Sequence, residues 1–408
     1  MEYPVLKLKK GHEKRVRAGH LWVYSNEIEA NDSSLPIGSL VDVINSKSEF
    51  VGTGFYNPNA LVVVRILTKT KEPIDREFFS RRLKRAREIR ETFFSNRTAY
   101  RLVHSESDYL PGLVIDKYND SNSIQLNSAG MENYLDIIIN LLVKEFGAKN
   151  IVLRNDTTAR ELEGLPRFTK ILYGDNVEEV IFDGKLKMKV NLLEGQKTGI
   201  YLDQTENRHL LIPISKDAEV LDVFCNEGGF SLSALLGGAK KVTSIDISQE
   251  SLDRFKENIE INGFDLNKVE MIKKDAFDIL KKISQEGRKF DVINLDPPSF
   301  TKSKKNVPQA KKGYYVINHH AFSMIKEGGY ILTSSCSHHL TEAVFQSIVL
   351  TAALKTGRRY TILKTGGAPI DHPIHPRMPE TSYLKFMLLK VVNWVKLYSK
   401  IFALEFLF

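Results

Sequence analysis

EVLDVFCNEGGFSLSALLGGAKKVTSIDIS, Glu219 to Ser248, holds a strand, a glycine-rich turn, a helix and a second strand that ends in an acidic residue. The distance from Asp222 to Asp246 suits a βαβ nucleotide site, with Gly228 and Gly229 letting a ligand approach the backbone and Asp246 binding ribose hydroxyls. The turn itself, FCNEGGF, has neither G-x-G-x-x-G nor a lysine-bearing phosphate loop, so it has no cradle for a pyrophosphate or triphosphate. A ligand with a ribose and an adenine but no phosphates fits better.

Downstream, SLDRFKENIEINGF reads as a helix, VEMIKKDAFDIL as a strand ending at Asp275, and FDVINLDPPSF as a strand ending at Asp296. Asp246, Asp275 and Asp296 thereby fall at the carboxyl ends of successive parallel strands, where open α/β sheets bind ligands. Solvated strand-end acids are common, but Asp-Pro-Pro-Ser-Phe adds a stiff turn, because paired prolines cannot continue a central strand. A rigid surface turn without function is the plainer alternative. Residues 180–408, with their alternating β and α character, read as one α/β domain, with 392–408 as an extension beyond its strand SYLKFMLLKV.

Upstream, the patterning changes twice. SLVDVIN, EFVGTGFYN and ALVVVRILT are short β-branched runs parted by Asn, Pro and Gly, which read as a compact β-rich module over residues 1–74. Its first segment carries Lys9, Lys10, Lys14, Arg15 and Arg17 ahead of Trp22 and Tyr24. Charge beside aromatic surface suits RNA; a solvated basic loop is the alternative. From residue 75 to 179 an α+β domain follows. It opens with the helix Arg76 to Phe94, whose apolar stripe is Phe79, Leu83, Ala86 and Ile89, and includes a second helix ending at Gly147.

Two cysteines in 408 residues exclude a disulfide framework, and the opening residues do not read as a secretory leader, so a reducing cytoplasmic setting is expected. No apolar run is long enough to span a bilayer. A formal charge of +8 favours an acidic partner, nucleic acid first.

DVFCNEGGF, SIDIS, KKDAF, LDPPSF and SSCS, in this order, resemble the motif set of class I S-adenosylmethionine-dependent methyltransferases. KTGIYLDQTENR (Lys197 to Arg208), with RAGHLWVYSNEI, GFYNP and LPGLVIDKY, is similar more narrowly to the ribosomal RNA large subunit methyltransferase I family. The resemblance covers nearly the whole chain. It implies a PUA domain, a central α+β domain, a Rossmann-like catalytic domain, and methylation of cytosine C5 in 23S ribosomal RNA. It further implies that Phe224, Asn226, Gly228, Gly229 and Ala276 line the S-adenosylmethionine pocket, with Asp246 on the ribose and Asp275 on the adenine amino group. Tyr201 and Gln204 would lie near the methionine end, and Asp296 would face both cofactor and target base. In relatives a Tyr-Thr pair usually precedes the glycines where this chain has Asn226-Glu227. This departure bears on the detail of the cofactor contacts.

The chemistry then turns on Cys336, in ILTSSCSHHL. Carbon 5 of cytosine is barely nucleophilic until a thiolate adds to carbon 6. On this reading Cys336 makes the adduct, Asp296 hydrogen-bonds the ring-nitrogen edge, and an unidentified base removes the C5 proton. The rival is methylation of an exocyclic amine of adenine or guanine, with Phe300 stacked on the base and Cys336 as buried filler. A catalytically inert ribosome-assembly factor and a small-molecule methyltransferase are two further readings. Pro297, Pro298 and Phe300 would contact the substrate, and Lys302, Lys304, Lys305, Lys311 and Lys312 would bind phosphates beside an extruded base. Cys225 reads as a structural neighbour of the cofactor pocket, and no metal site is expected. The partner is 23S ribosomal RNA or its precursor particle. Residues 392–408 read as a helix packing on the domain or on a second subunit of a homodimer.

Overall fold

The structure, a computed structural model, describes residues 3–301 and 303–392. Lys302 and the extension from residue 393 onward lie outside the described residues. By internal contacts the chain divides into two units. The first runs through Gly184 and adds Met188–Leu202 and Ile370–Thr381; the second comprises Lys185–Lys187, Asp203–Pro369 and Ser382 onward. No helix among the described residues is long and apolar enough to cross a membrane.

The β-branched runs near the start make one five-stranded sheet, ordered Val5–Lys7, Leu40–Ile44, Phe50–Tyr56, Val62–Thr68 and Trp22–Tyr24. Val23, Val41, Val43, Val63, Val64 and Ile66 form its core and are fully buried. A second sheet takes Phe168–Tyr173, Asn150–Asn155, Ser121–Leu126, Leu113–Tyr118 and Ala99–His104 in that order. The helices Arg76–Phe93 and Leu135–Phe146 share its core. The expected stripe on the first helix needs one correction: Phe79, Leu83 and Ala86 are buried, but Ile89 is exposed and Arg90 takes the inward position. A guanidinium is tolerated there because it is fully neutralised. Arg90 donates to both carboxylate oxygens of Asp108 at 2.7 Å and to the Asp371 carbonyl at 2.8 Å.

In the second unit seven strands form one sheet: β1 Glu219–Val223, β2 Lys241–Asp246, β3 Val269–Lys273, β4 Phe290–Leu295, β5 Ile325–Ser335, β6 Arg359–Gly366 and β7 Lys385–Val392. Their order is β3-β2-β1-β4-β5-β7-β6. The first five are parallel, while β7 runs antiparallel to both β5 and β6. The helices that follow the first strand are α1 Gly229–Leu236, α2 Gln249–Ile261, α3 Ala276–Gln285, α4 Val307–Met324 and α5 Glu342–Lys355.

Strand pleating sorts the residues of β1 and β4. Leu221, Val223, Ile293 and Leu295 are fully buried among residues of α3, α4 and α5, and each such side chain contributes roughly 1.5–3 kcal/mol by leaving water. Asp222, alternating with them, faces α1 instead and accepts from the Ser231 hydroxyl. Strand order reverses between β1 and β4, and ligands of open α/β sheets bind at such a switch point.

Candidate active site

Backbone conformation at the end of β1 is unusual. Phe224, Asn226 and Gly228 have φ of 64°, 48° and 81°, a left-handed region costly for residues with a Cβ. Hydrogen bonds hold the turn there: Cys225 N–H donates to the Ile245 carbonyl at 3.0 Å, and Gly228 N–H to the Cys225 carbonyl at 2.8 Å. Asp246, at the end of β2, accepts from the Asn226 N–H through one carboxylate oxygen and from the Ser248 N–H through the other, each at 2.9 Å. Each oxygen keeps a lone pair for a further donor such as a ribose hydroxyl. Asn226 Oδ1 is shielded from solvent and meets no hydrogen-bond donor among the described residues.

Gly228 is required twice over. Its φ is positive, and a Cβ built on it would fall 1.8 Å from the buried Phe255 ring of α2. Glu227, one of the two departures from the Tyr-Thr pair, serves the fold instead, since it is buried and accepts from Arg254 of α2 at 2.9 Å. Burial pushes its carboxyl up despite that partner.

Beneath the turn lies a polar knot that sequence reading left without a role. Asp222 accepts from the Ser231 hydroxyl at 2.6 Å and from Asn294 Nδ2 at 2.8 Å, and Ser231 is 2.8 Å from the Ser244 hydroxyl. Complete burial pushes the Asp222 carboxyl up to about 6. A carboxyl raised in the folded state contributes its stability fully below the unfolded value, near 4, and loses it as pH rises through about 6. Relative to Asp222→Asn, the native protein should therefore lose roughly 1–3 kcal/mol between about pH 4 and pH 7.5. Urea denaturation of both proteins at the two pH values measures this, and a constant difference would contradict it.

At the end of β3 the strand stops at Lys273, two residues before the expected Asp275, because Asp275 turns to cap α3. Its Oδ1 accepts from the N–H groups of Phe277 at 2.9 Å and Asp278 at 3.3 Å. Lys274 N–H donates to the Asp246 carbonyl at 3.1 Å, which brings the two acidic strand ends together.

Asp296 directly follows β4, and Cys336 directly follows β5. These strands are parallel neighbours with Leu295 opposite Thr333, so two segments some forty residues apart in sequence emerge side by side. Asp296 N–H donates to the Val223 carbonyl at 3.4 Å, joining this corner to the glycine turn. Gln204 Nε2 donates to Asp296 Oδ1 at 2.7 Å and to the Ser334 hydroxyl at 3.3 Å; its own Oε1 accepts from Asn207 at 2.7 Å. Behind Cys336, the Ser337 hydroxyl lies 3.0 Å from Tyr314 Oη and 3.1 Å from the Ser299 hydroxyl. The Cys336 thiol is half-buried, 3.9 Å from the Pro297 carbonyl. Cys225 is buried, and burial pushes its thiol well up, which keeps it protonated.

Phe300 packs among rings: its centroid lies 4.6 Å from Tyr314, 5.7 Å from Phe277 and 6.4 Å from Phe224. Pro297 is buried and Pro298 exposed, and Lys304, Lys305, Lys311 and Lys312 are all exposed.

The second unit thus brings together Gln204, Phe224, Asn226, Gly228, Gly229, Asp246, Asp275, Ala276, Asp296 and Cys336. Tyr201 belongs to the first unit, as do Lys14, Arg15, Arg17 and Trp22. Four of these have partners there, the Tyr201 ring lying 4.4 Å from Lys197 Nζ. Arg15 donates to Glu27 and Arg17 to Glu49, each at 2.6 Å, and the Trp22 indole donates to Glu106 at 2.8 Å. Lys14 is exposed. Segment Ile370–Thr381, with His372 and His375, also groups with the first unit, where Asp371 accepts from His372 at 2.9 Å and from the Arg101 N–H at 2.8 Å. Sequence reading used Asp222 only to mark a spacing and missed Asn294, Ser334, Ser337 and Lys385. A lone lysine inside the apolar strand SYLKFMLLKV was the available signal for the last.

Residues 6–69 match the family of PUA-like domains, and residues 167–342 match the S-adenosylmethionine-dependent methyltransferase family. Ribosomal RNA large subunit methyltransferase I of Aliivibrio fischeri strain MJ11 is 39% identical over 390 residues, covering 94% of this chain and 98% of the relative. The protein of the same name from Vibrio cholerae is 37% identical over 395 residues, covering 95% and 100%. Among solved structures, a SAM-dependent methyltransferase from Streptococcus mutans superposes with TM-score 0.81 at 23% identity, over 95% of this chain and 100% of that one. A methyltransferase complexed with SAH superposes with TM-score 0.82 at 23% identity and the same coverage. These two likenesses concern the fold.

Proposed function

The chain belongs to the ribosomal RNA large subunit methyltransferase I family, and on that premise we propose that this S-adenosylmethionine-dependent ribosomal RNA methyltransferase modifies carbon 5 of a cytosine in 23S RNA through a covalent adduct on Cys336. The observation that carries this reading is the adjacency of Asp296 and Cys336 at the ends of β4 and β5. A half-buried thiol has no structural need of a carboxylate on the next strand, whose orientation is held by Gln204 at 2.7 Å.

The residues of the glycine turn fit the cofactor. Asn226 Oδ1 is an orphaned acceptor that a ligand donor would satisfy, and the turn FCNEGGF has no phosphate cradle. Asp246 would hold the ribose hydroxyls, and the second oxygen of Asp275 the adenine amino group. Phe224, Gly228, Gly229 and Ala276 would line the pocket, with Gln204 toward the methionine end. When bound, S-adenosylmethionine supplies an electrophilic methyl group.

The chain's own residues do the rest. Cys336 sulfur adds to carbon 6 and makes carbon 5 nucleophilic. Asp296 hydrogen-bonds the ring-nitrogen edge and so orients the base for attack. The base must leave its stack to be reached, and Lys304, Lys305, Lys311 and Lys312, with Lys302, would hold the flanking phosphates. Phe300 supports this reading over exocyclic amine methylation, since its ring is already engaged with Tyr314 and Phe277.

Nucleoside mass spectrometry on unmodified ribosomal RNA incubated with protein and S-adenosylmethionine is the test. 5-Methylcytidine is expected; N6-methyladenosine or N2-methylguanosine would overturn the assignment.

A further inference from the structure

Lys385 opens β7, directly opposite Ser335 and hence one residue from Cys336 in the neighbouring strand. It is only 8% exposed, and lysines are almost never so buried unless paired. Nζ donates to the Ser337 carbonyl and to the Tyr383 carbonyl, each at 2.6 Å, and so grips the chain just after the cysteine. Both acceptors are neutral. Burial pulls the Lys385 pKa down to about 8, and negative charge on the Cys336 sulfur acts in the opposite direction.

We propose that Lys385 is the positioning residue for the nucleophile: its buried ammonium group is the counter-charge that holds Cys336 in the thiolate form. The inference rests on the reading of Cys336 as nucleophile and adds what makes it one.

Among the described residues, the neighbouring acids, phenol and histidines do not supply that charge. Asp296, from the end of β4, is acidic and works against a thiolate. From α4 comes the Tyr314 phenol, pushed up by burial. His338, in the loop after β5, is pushed down by burial and then by Lys385 itself, and so stays neutral at pH 7. His339 beside it is exposed. Ahead of β7, the Tyr383 hydroxyl donates to Asp203 at 2.5 Å, which adds a second carboxylate. Lys385 is a cation that grips the carbonyl next to the cysteine, and its charge and that of the sulfur act on one another.

Electrons balance as follows. The Cys336 S–H bond breaks, the proton leaves to solvent, and sulfur keeps the pair beside the ammonium. That pair forms the bond to carbon 6 while the C5–C6 π pair shifts into the ring; from there it forms the bond from C5 to the methyl group, and the methyl–sulfonium bond breaks with its pair left on the cofactor sulfur. After methyl transfer, loss of the C5 proton restores the C5–C6 double bond, the S–C6 bond breaks, and sulfur takes back its pair as a thiolate that Lys385 again stabilises.

The rate of Cys336 alkylation by iodoacetamide tests this in the full chain without RNA. It is followed by peptide mass spectrometry across about pH 5.5 to 9.5. The native midpoint should fall about one unit or more below the ordinary thiol value near 8.5. Lys385→Met should raise the midpoint by about one unit, slowing alkylation at pH 7 roughly tenfold, whereas Lys385→Arg should keep it near the native value. A native midpoint at or above the ordinary value overturns the proposal, and this measurement needs no variant to fold. An unmoved midpoint in a folded Lys385→Met that has lost activity overturns it too, because the lysine would then merely pin two carbonyls. If the low midpoint appears but the RNA product is not 5-methylcytidine, the pairing stands and only the reaction falls. If 5-methylcytidine forms with an ordinary midpoint, Lys385 alone loses its role.

Discussion

Cys336→Ala is expected to lower 5-methylcytidine formation by ~10³-fold or more, because without sulfur on carbon 6 the ring carbon cannot attack the methyl group. Binding of S-adenosylmethionine should change less than about threefold, since the cofactor turn is built from β1, β2 and β3 and the cysteine follows β5. Stability should also hold. The thiol is half-buried, its hydrogen bond to the Pro297 carbonyl is a weak one at 3.9 Å, and deleting one sulfur atom leaves a small cavity. Single-turnover methylation with labelled cofactor, together with calorimetric cofactor binding, separates these effects. A variant that kept more than about a tenth of the native rate would remove Cys336 from the chemistry and return attention to Asp-Pro-Pro-Ser-Phe.

The second large effect belongs to Gly228. A methyl group there would lie 1.8 Å from Phe255 Cδ2 and 2.2 Å from Cε2. Phe255 is fully buried and cannot yield without moving α2. With left-handed strain added at φ 81°, Gly228→Ala should cost roughly 3–5 kcal/mol and weaken cofactor binding as the turn shifts. Gly229 is the control. It begins α1 with an ordinary φ, and its Cβ would meet only the Arg208 side chain, at 3.1 Å and beyond. Gly229→Ala should stay within about 1 kcal/mol of the native protein, alanine being the better helix former. Urea denaturation of the two variants measures the contrast, and equal losses would refute it.

Much of the second unit was legible because its elements announce themselves locally. Strand, glycine turn, helix and strand between Glu219 and Ser248 follow from patterning alone, and the acids at 246, 275 and 296 mark the strand ends within two residues. Long-range features were not legible. Ile89 reads as core by spacing, yet Arg90 occupies that place because Asp108 and the Asp371 carbonyl, distant in sequence, neutralise it. Arg15, Arg17 and Trp22 read as an RNA-facing cluster, and their carboxylate partners Glu27, Glu49 and Glu106 were not visible in the spacing. Glu227 looks like a departure within the cofactor turn and proves to be the partner of Arg254.

Residue order was enough to specify the α/β class, the βαβ nucleotide turn, the acidic strand ends and the thiol at a strand exit, all encoded by residues within one or two elements of each other. The assembled sheet was needed to establish that β4 and β5 are neighbours, so that Asp296 and Cys336 leave adjacent strands, and that β7 enters antiparallel against β5, which sets Lys385 opposite Ser335 and its Nζ on the Ser337 carbonyl. Periodicity and turn chemistry report how a segment meets its own neighbours, whereas charge compensation and thiol reactivity depend on which distant segments the sheet order places side by side.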